Sequence, residues 1–116
     1  MLVGTLHAGI ECPHPEGTRL VHLSYERYEH IRTQRNVDAP LVFRTLRHVI
    51  TAPTHFGRRT TDARRMEIYR LPPGEETGVC VSLKFLAGET WINTAMPFGM
   101  RSLIKYLRSG KLRPIQ

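Results

Sequence analysis

The chain has 116 residues, with 17 Lys and Arg against 10 Asp and Glu, a formal net charge of +7 and a sequence pI near 10.1. A chain of this length buries roughly two-thirds of its unfolded surface, which predicts one domain over residues 1–116. No apolar run approaches the roughly 18 residues of a membrane helix, and the amino end lacks the pattern of a secretory signal. The positive charge favours a polyanionic partner such as nucleic acid, although a solvated basic surface remains the alternative.

Cysteine, histidine and carboxylate spacing does not indicate a metal site. Cys12 and Cys80 are far apart and have no CxxC spacing, so we expect both to be reduced. The six histidines show no HxH or HxxxH pair, and the acidic residues form no obvious magnesium-binding group. We therefore expect neither a metal ion nor another cofactor.

The amino-terminal third predicts two short strands and a helix. The apolar segments at 1–6 and 19–24 are typical of strands, and the Pro- and Gly-containing segment between them predicts a loop. Ser24 can cap a helix that starts at Tyr25. His30 points away from the side of this helix that carries Ile31.

The next segments predict a second helix and a hairpin. Asp38 can cap the helix, and Pro53 would end it. Apolar residues then alternate with polar ones from Met66 onward, through the turn "PPGEETG" and into "GVCVSLKFL". This period of two places Lys84 on the polar side of its strand.

A third strand, "TWINTAM", and a closing helix ended by Gly110 complete the predicted elements. The sum is an α+β domain in which two amino-terminal helices and the closing helix pack on one face of an antiparallel meander sheet. The other face of the sheet would be open.

The side chains that remain are sufficient for cleaving RNA without a metal ion. The ribose 2′-hydroxyl is a built-in nucleophile, so the protein needs to supply a proton acceptor, a proton donor and positive charge for the phosphate. Histidine, arginine and lysine meet those needs. One positioned acid or base contributes about 10² to 10⁴ in rate.

Five segments occur in an order that resembles the barnase, EndoU, colicin and RelE nuclease superfamily, in its phage and mobile-element branch. They are "LSYERYEHIRTQR", "TLRHVITAPTHF", "RRMEIYRL", "VCVSLKF" and "WINTAM", and the resemblance covers about residues 21–98. It implies a metal-independent endoribonuclease that leaves 2′,3′-cyclic phosphate ends.

The resemblance implies site residues by position. The catalytic candidates are His30, Arg65, Lys84 and Thr94, and the candidates for binding RNA or phosphate are Arg35, Arg64, Tyr69, Arg70 and His48. The chain departs from the family where Gln34 and Arg35 replace an arginine and a histidine, Thr54 replaces an acidic residue and Met96 replaces a tyrosine.

Each of these residues also has an ordinary structural explanation. His30 could be a solvated helix residue or a partner of Glu26, and Lys84 could simply keep a strand soluble. Arg65 is expected to share a face with Lys84. Thr94 could be an ordinary β-branched strand residue, His48 an exposed helix residue, and Trp91 a packing residue.

Three hypotheses follow from these residues. The first is the endoribonuclease, acting on RNA such as tRNA in the cytoplasm of a host cell, whether virion-associated or delivered as a toxin. The second is a basic RNA- or DNA-binding module of the same fold without turnover. The third is an interaction protein of a virion or toxin system, whose partner would be an acidic immunity or antitoxin protein.

Overall fold

The computed structural model describes residues 1–10, 19–35, 37–58, 61–62, 64–86 and 88–115. These residues form three helices and seven strands, so the fold is α+β. The helices are α1 (Tyr25–Thr33), α2 (Ala39–Thr51) and α3 (Met100–Arg108). The strands are β1 (Leu2–Thr5), β2 (Leu20–His22), β3 (His55–Gly57), β4 (Arg65–Arg70), β5 (Thr77–Leu86), β6 (Glu89–Gly99) and β7 (Leu112–Pro114).

All seven strands belong to one sheet, in the order β1-β2-β6-β5-β4-β3-β7. Strands β4, β5 and β6 lie side by side in chain order and are antiparallel, while β2 joins β6 in parallel. The sequence did not predict β3 or β7, because each is three residues long and, unlike β2, lies in no longer apolar segment. Most of the predicted loop at 7–18, and Cys12 within it, lie outside the described residues.

Both predicted helix starts are confirmed. The side chain of Ser24 accepts a hydrogen bond from the Arg27 backbone N–H, at 3.1 Å, and that of Asp38 accepts one from Leu41 at 3.0 Å. Each cap satisfies one of the backbone donors that a helix leaves unpaired at its start. No helix in the described part of the chain has the length and apolar character needed to cross a membrane.

The main core lies between the sheet and the first two helices. Ile31 of α1 and Val42 of α2 are fully buried there, against Ile68 of β4 and Val81 of β5. Because Ile68 and Val81 are register partners, their side chains project from the same side of the sheet, which we call the helical face.

The prediction that all three helices share this face is wrong. Leu103 of α3 is buried against Tyr69 and Cys80, which are register partners on the opposite side of the sheet. The inward side of α3 carries Leu103, with Tyr106 and Leu107 partly buried beside it, whereas Ile104 is 41% exposed. Its apolar pattern did not specify a face, because both sides of the sheet offer an apolar region.

Helix α3 covers only one end of the second face. The residues it packs against, directly or through their neighbours, are Tyr69, Cys80, Phe98 and Leu112. It forms most of its contacts with β6 and β7 rather than with the centre of the sheet. The other end of this face therefore has no described helix over it.

Candidate nucleic-acid interface

The uncovered end of the second face carries two rows of polar side chains that cross the sheet. In the outer row Arg65 of β4 is paired with Lys84 of β5, which is paired with Trp91 of β6. Trp91 is in turn the parallel partner of His22 in β2. Strand neighbours are about 4.8 Å apart, so this row spans roughly 14 Å.

The inner row lies next to the outer one, two residues away on β4 and β5 and three residues away on β6. It consists of Glu67 on β4, Ser82 on β5 and Thr94 on β6, each directly opposite the next. Asn93 is an extra residue in β6, a bulge that shifts the in-and-out alternation by one position. As a result Thr94 lies opposite Ser82 on the polar side, and Ala95 is buried in the core. We call these two rows together the polar sheet face.

The polar sheet face is accessible at its outer row and closed at its inner row. Lys84, Trp91 and His22 are half-buried, whereas Glu67 and Ser82 are only 4% exposed. Two side-chain atoms on the face are buried and have no hydrogen-bond partner, Nε of Arg65 and Oγ1 of Thr94. Buried polar atoms are normally paired, so these two indicate a place where a ligand oxygen can bind.

Asp62 lies beside the arginines at the start of β4. Its carboxylate is 3.4 Å from Nε of Arg64 and 3.8 Å from Nε of Arg65. The hydrogen bond from the Arg64 backbone, followed by its side chain, holds the pKa of Asp62 below the usual value. At 3.8 Å the Asp62 carboxylate forms an ion pair with Arg65 but no hydrogen bond, so the guanidinium N–H groups remain able to donate to an anion.

Glu67 places one carboxylate inside the polar sheet face. It is adjacent to Arg65 on the same side of β4 and diagonal to Lys84, at about 7–8 Å for such neighbours. The Cys80 thiol donates a hydrogen bond to Oε2 of Glu67, at 3.5 Å. Glu67 therefore supplies a carboxylate on the polar sheet face itself, whereas Asp62 lies beside Arg65 at the start of β4. Glu67 was not among the site residues predicted from the sequence.

His22 and Trp91 form the far end of the outer row. Their ring centroids are 5.3 Å apart, and Nε1 of Trp91 donates to Glu89 at 2.9 Å. Trp91 is half-buried on the polar sheet face, while its neighbour Ile92 enters the core. Ile92 is therefore the residue that points inward, and the Trp91 ring lies on the polar sheet face beside Lys84.

Three of the predicted residues lie apart from the polar sheet face. His30 and Arg35 are exposed on and after α1, and His48 is exposed on α2. Both helices pack on the helical face, so the sheet separates these side chains from Lys84. Of the four predicted catalytic residues, the fold thus brings Arg65, Lys84 and Thr94 together and leaves His30 elsewhere.

Tyr69 and Arg70 occupy structural positions rather than the predicted phosphate-binding surface. Tyr69 is fully buried, and its hydroxyl donates a hydrogen bond to the carbonyl of Phe98 at 2.8 Å. Burial raises the pKa of Tyr69 to about 12. Arg70 projects from the helical face and donates to the Ala52 carbonyl at 2.6 Å, which ties β4 to the end of α2.

Of the two residues that sequence reasoning missed, Glu67 and His22, only Glu67 had a signal in the sequence. Glu67 alternates with Met66 and Ile68 and so shares a side with Arg65. His22 lies at the end of a three-residue strand, and only the parallel pairing of β2 with β6 brings it to Trp91. That pairing has no local sequence signal.

Within the described ranges, no three His, Cys, Asp or Glu side chains lie close enough together to hold a metal ion. Cys80 is buried, 2% exposed. Comparison of the chain with protein-family models, with curated protein sequences and with solved structures gave no significant match.

Proposed function

We propose that this protein is a metal-independent endoribonuclease and that the polar sheet face holds its RNA. The observation that carries the proposal is the pairing of Arg65 with Lys84 at the end of the sheet that no described helix covers. Two adjacent cations that no carboxylate of the described residues bridges are suited to the two charged oxygens of one phosphodiester.

The neighbouring groups supply the rest of an RNA site. The unpaired Thr94 hydroxyl can donate to a phosphate or ribose oxygen, and the Trp91 ring provides a surface against which a base can stack. Stacking on an aromatic side chain is tolerant of base identity, so this part of the site favours single-stranded RNA without selecting a sequence.

Proton transfer has two candidates. The family resemblance implies His30, but the sheet lies between this residue and Lys84. Glu67 is diagonal to Lys84 on the polar sheet face, where it is only 4% exposed, so a 2′-hydroxyl reaches it only when the covering side chains move apart. We assign to Glu67 the role of proton acceptor from the 2′-hydroxyl and to the Lys84 ammonium that of proton donor to the departing 5′-oxygen, with Arg65 stabilising the charge that develops on the phosphate.

A second candidate function is binding of RNA by the same face without cleavage. The observation that favours it is the position of His30, because the residue that the resemblance makes catalytic lies away from the cations. In that case Glu67 would be a structural acid that partly balances Arg65 and Lys84.

The deciding experiment incubates the purified protein with RNA in the presence of EDTA, beside a matching DNA. The enzyme proposal expects fragments with 2′,3′-cyclic phosphate ends from the RNA, no cleavage of the DNA, and loss of cleavage in Lys84→Ala. Arg47→Ala, which removes an exposed cation from α2 on the other side of the sheet, is the control. If the wild type binds RNA without any cleavage, the enzyme proposal is wrong and RNA binding without turnover is the remaining candidate function.

A further inference from the structure

A second concentration of positive charge lies at the β3–β7 edge of the sheet. There a cavity of about 360 Å³ is lined by Phe56, Gly57, Arg58, Met66, Gly110, Lys111 and Arg113, which we call the edge pocket. This volume falls at the small end of the range for small-molecule sites, about 300–1,000 Å³. A second cavity of about 360 Å³ shares Phe56 and Arg113 with it.

Two glycines shape the edge pocket. Gly110 has a φ of +77°, which suits glycine, and this turn takes the chain from α3 into β7. Strand β7 then approaches β3 so closely that a Cβ on Gly57 would lie 2.0 Å from the Lys111 carbonyl oxygen. The close approach brings Arg58 next to Lys111, and the Arg58 backbone N–H donates to the Lys111 carbonyl at 2.9 Å.

The cations of the edge pocket have no acidic partner among the described residues. Arg58, Lys111 and Arg113 form no ion pair within the described part of the chain, and none of the described lining residues is acidic. The Arg113 guanidinium lies over the Phe56 ring, 5.5 Å from its centroid, which limits the freedom of that side chain. Three cations around one small concave site repel each other unless an anion lies between them.

The edge pocket is separate from the polar sheet face. Phe56 and Arg113 are register partners on the helical side of the sheet, since Phe56 also pairs with Ile68. Arg65 and Lys84 project from the other side. An anion in the edge pocket therefore cannot be held by the two cations of the proposed RNA site.

We propose that the edge pocket binds a phosphate group, held by Arg58, Lys111 and Arg113. Charge-assisted hydrogen bonds from guanidinium groups match phosphate oxygens in geometry, and the ammonium of Lys111 adds a third charge. The phosphate can belong to a free nucleotide or to the end of an RNA chain. This inference does not depend on RNA cleavage, because none of its residues takes part in the proposed reaction.

The test is calorimetric titration of the full-length protein with inorganic phosphate, adenosine 5′-monophosphate and adenosine, at low salt. We expect the monophosphate to bind and adenosine to show no binding. Arg58→Ala and the charge reversal Lys111→Glu should each lower the affinity for the monophosphate by about tenfold or more. Lys105→Ala on α3 and Arg47→Ala on α2, which each remove an exposed cation outside the edge pocket, should leave its affinity unchanged.

Equal affinity for the monophosphate in all four variants would overturn the proposal, as would binding of adenosine as strong as that of the monophosphate. Thermal unfolding of each variant shows whether a loss of binding comes with a loss of folding, and Arg58→Lys, which keeps the charge, should retain part of the affinity. Two RNA oligonucleotides that differ only in a 5′-phosphate distinguish an RNA end from a free nucleotide as the source. Weakened monophosphate binding in Lys111→Glu with unchanged RNA cleavage separates this site from the proposed active site.

Discussion

Arg65 and Lys84 are register partners on neighbouring strands, and their side chains project from the same uncovered side of the sheet. Like charges directly opposite each other on two strands destabilise a sheet by roughly 0.2–1 kcal/mol. Both residues are half-buried, which increases their mutual repulsion compared with fully exposed side chains. The repulsion between Arg65 and Lys84 therefore destabilises the folded state, and an anionic ligand bound between them would remove it.

Replacing Lys84 with Gln should therefore change stability and binding in opposite directions. We expect the free energy of unfolding to rise by about 0.2–1 kcal/mol, because the repulsion with Arg65 is lost. RNA affinity should fall, because one phosphate contact is lost. Urea unfolding and RNA titration measure the two effects, with Lys105→Gln as the control. A decrease in both quantities would mean that Lys84 is a packing residue.

The salt dependence of RNA binding should report the role of Arg65. Each phosphate neutralised on a single strand contributes about 0.7 to the slope of log K against log salt concentration. Arg65→Ala should therefore lower the slope by about 0.7, whereas Arg47→Ala should leave it unchanged. Binding isotherms at four or more salt concentrations give the slope. The same slope in wild type and Arg65→Ala would place the RNA elsewhere on the protein.

Glu67→Gln and His30→Ala distinguish the two candidates for proton transfer. Gln keeps the size of the Glu67 side chain but cannot accept the proton, so cleavage should slow by about 10² to 10⁴ while RNA binding persists. His30→Ala should cleave at the wild-type rate, since His30 is exposed in the helical layer. Initial rates at saturating RNA make the comparison. The reverse pattern would restore His30 as the catalytic residue and require the RNA to reach α1.

Tyr69 should make the protein sensitive to alkaline pH. Its pKa is raised from 10.0 to about 12 by burial, so the unfolded chain releases the phenol proton at lower pH than the folded one. The contribution of this group is complete below pH 10 and is lost as the pH rises towards 12, amounting to about 2.7 kcal/mol.

The matched variant for this effect is Tyr69→Phe. It should be less stable near neutral pH by about 0.5–1.5 kcal/mol, because the hydrogen bond to the Phe98 carbonyl is lost. Between pH 10 and 12 its stability should fall less steeply than that of the wild type. Parallel curves for the two proteins over this range would show that Tyr69 titrates normally.

Gly57→Ala should disrupt the pairing of β3 with β7. The added methyl group would meet the Lys111 carbonyl oxygen at 2.0 Å, and overpacking of this kind costs about 1–3 kcal/mol. Gly4→Ala is the control, because a Cβ there has its nearest contact at 3.4 Å. Thermal unfolding and amide exchange in β7 are the measurements. Equal stability of the two variants would contradict the close approach of the strands.

The sequence by itself determined the local structure. Ser24 and Asp38 predicted the starts of two helices, because a cap is made by a side chain and the backbone only three residues away. Alternation in the central strands predicted which side chains share a side, and so placed Arg65 with Lys84. This worked because successive side chains of a strand point to opposite faces whatever the strand pairs with.

Only the tertiary structure decided which elements meet. The side of the sheet taken by α3, the parallel pairing that brings His22 to Trp91, and the edge strands that form a basic pocket all depend on contacts between distant segments. The periodicity of a helix shows that one side is apolar, not which of two apolar surfaces will bury it. For the same reason the sequence could indicate a histidine as a proton-transfer residue but could not show that the sheet separates His30 from Lys84.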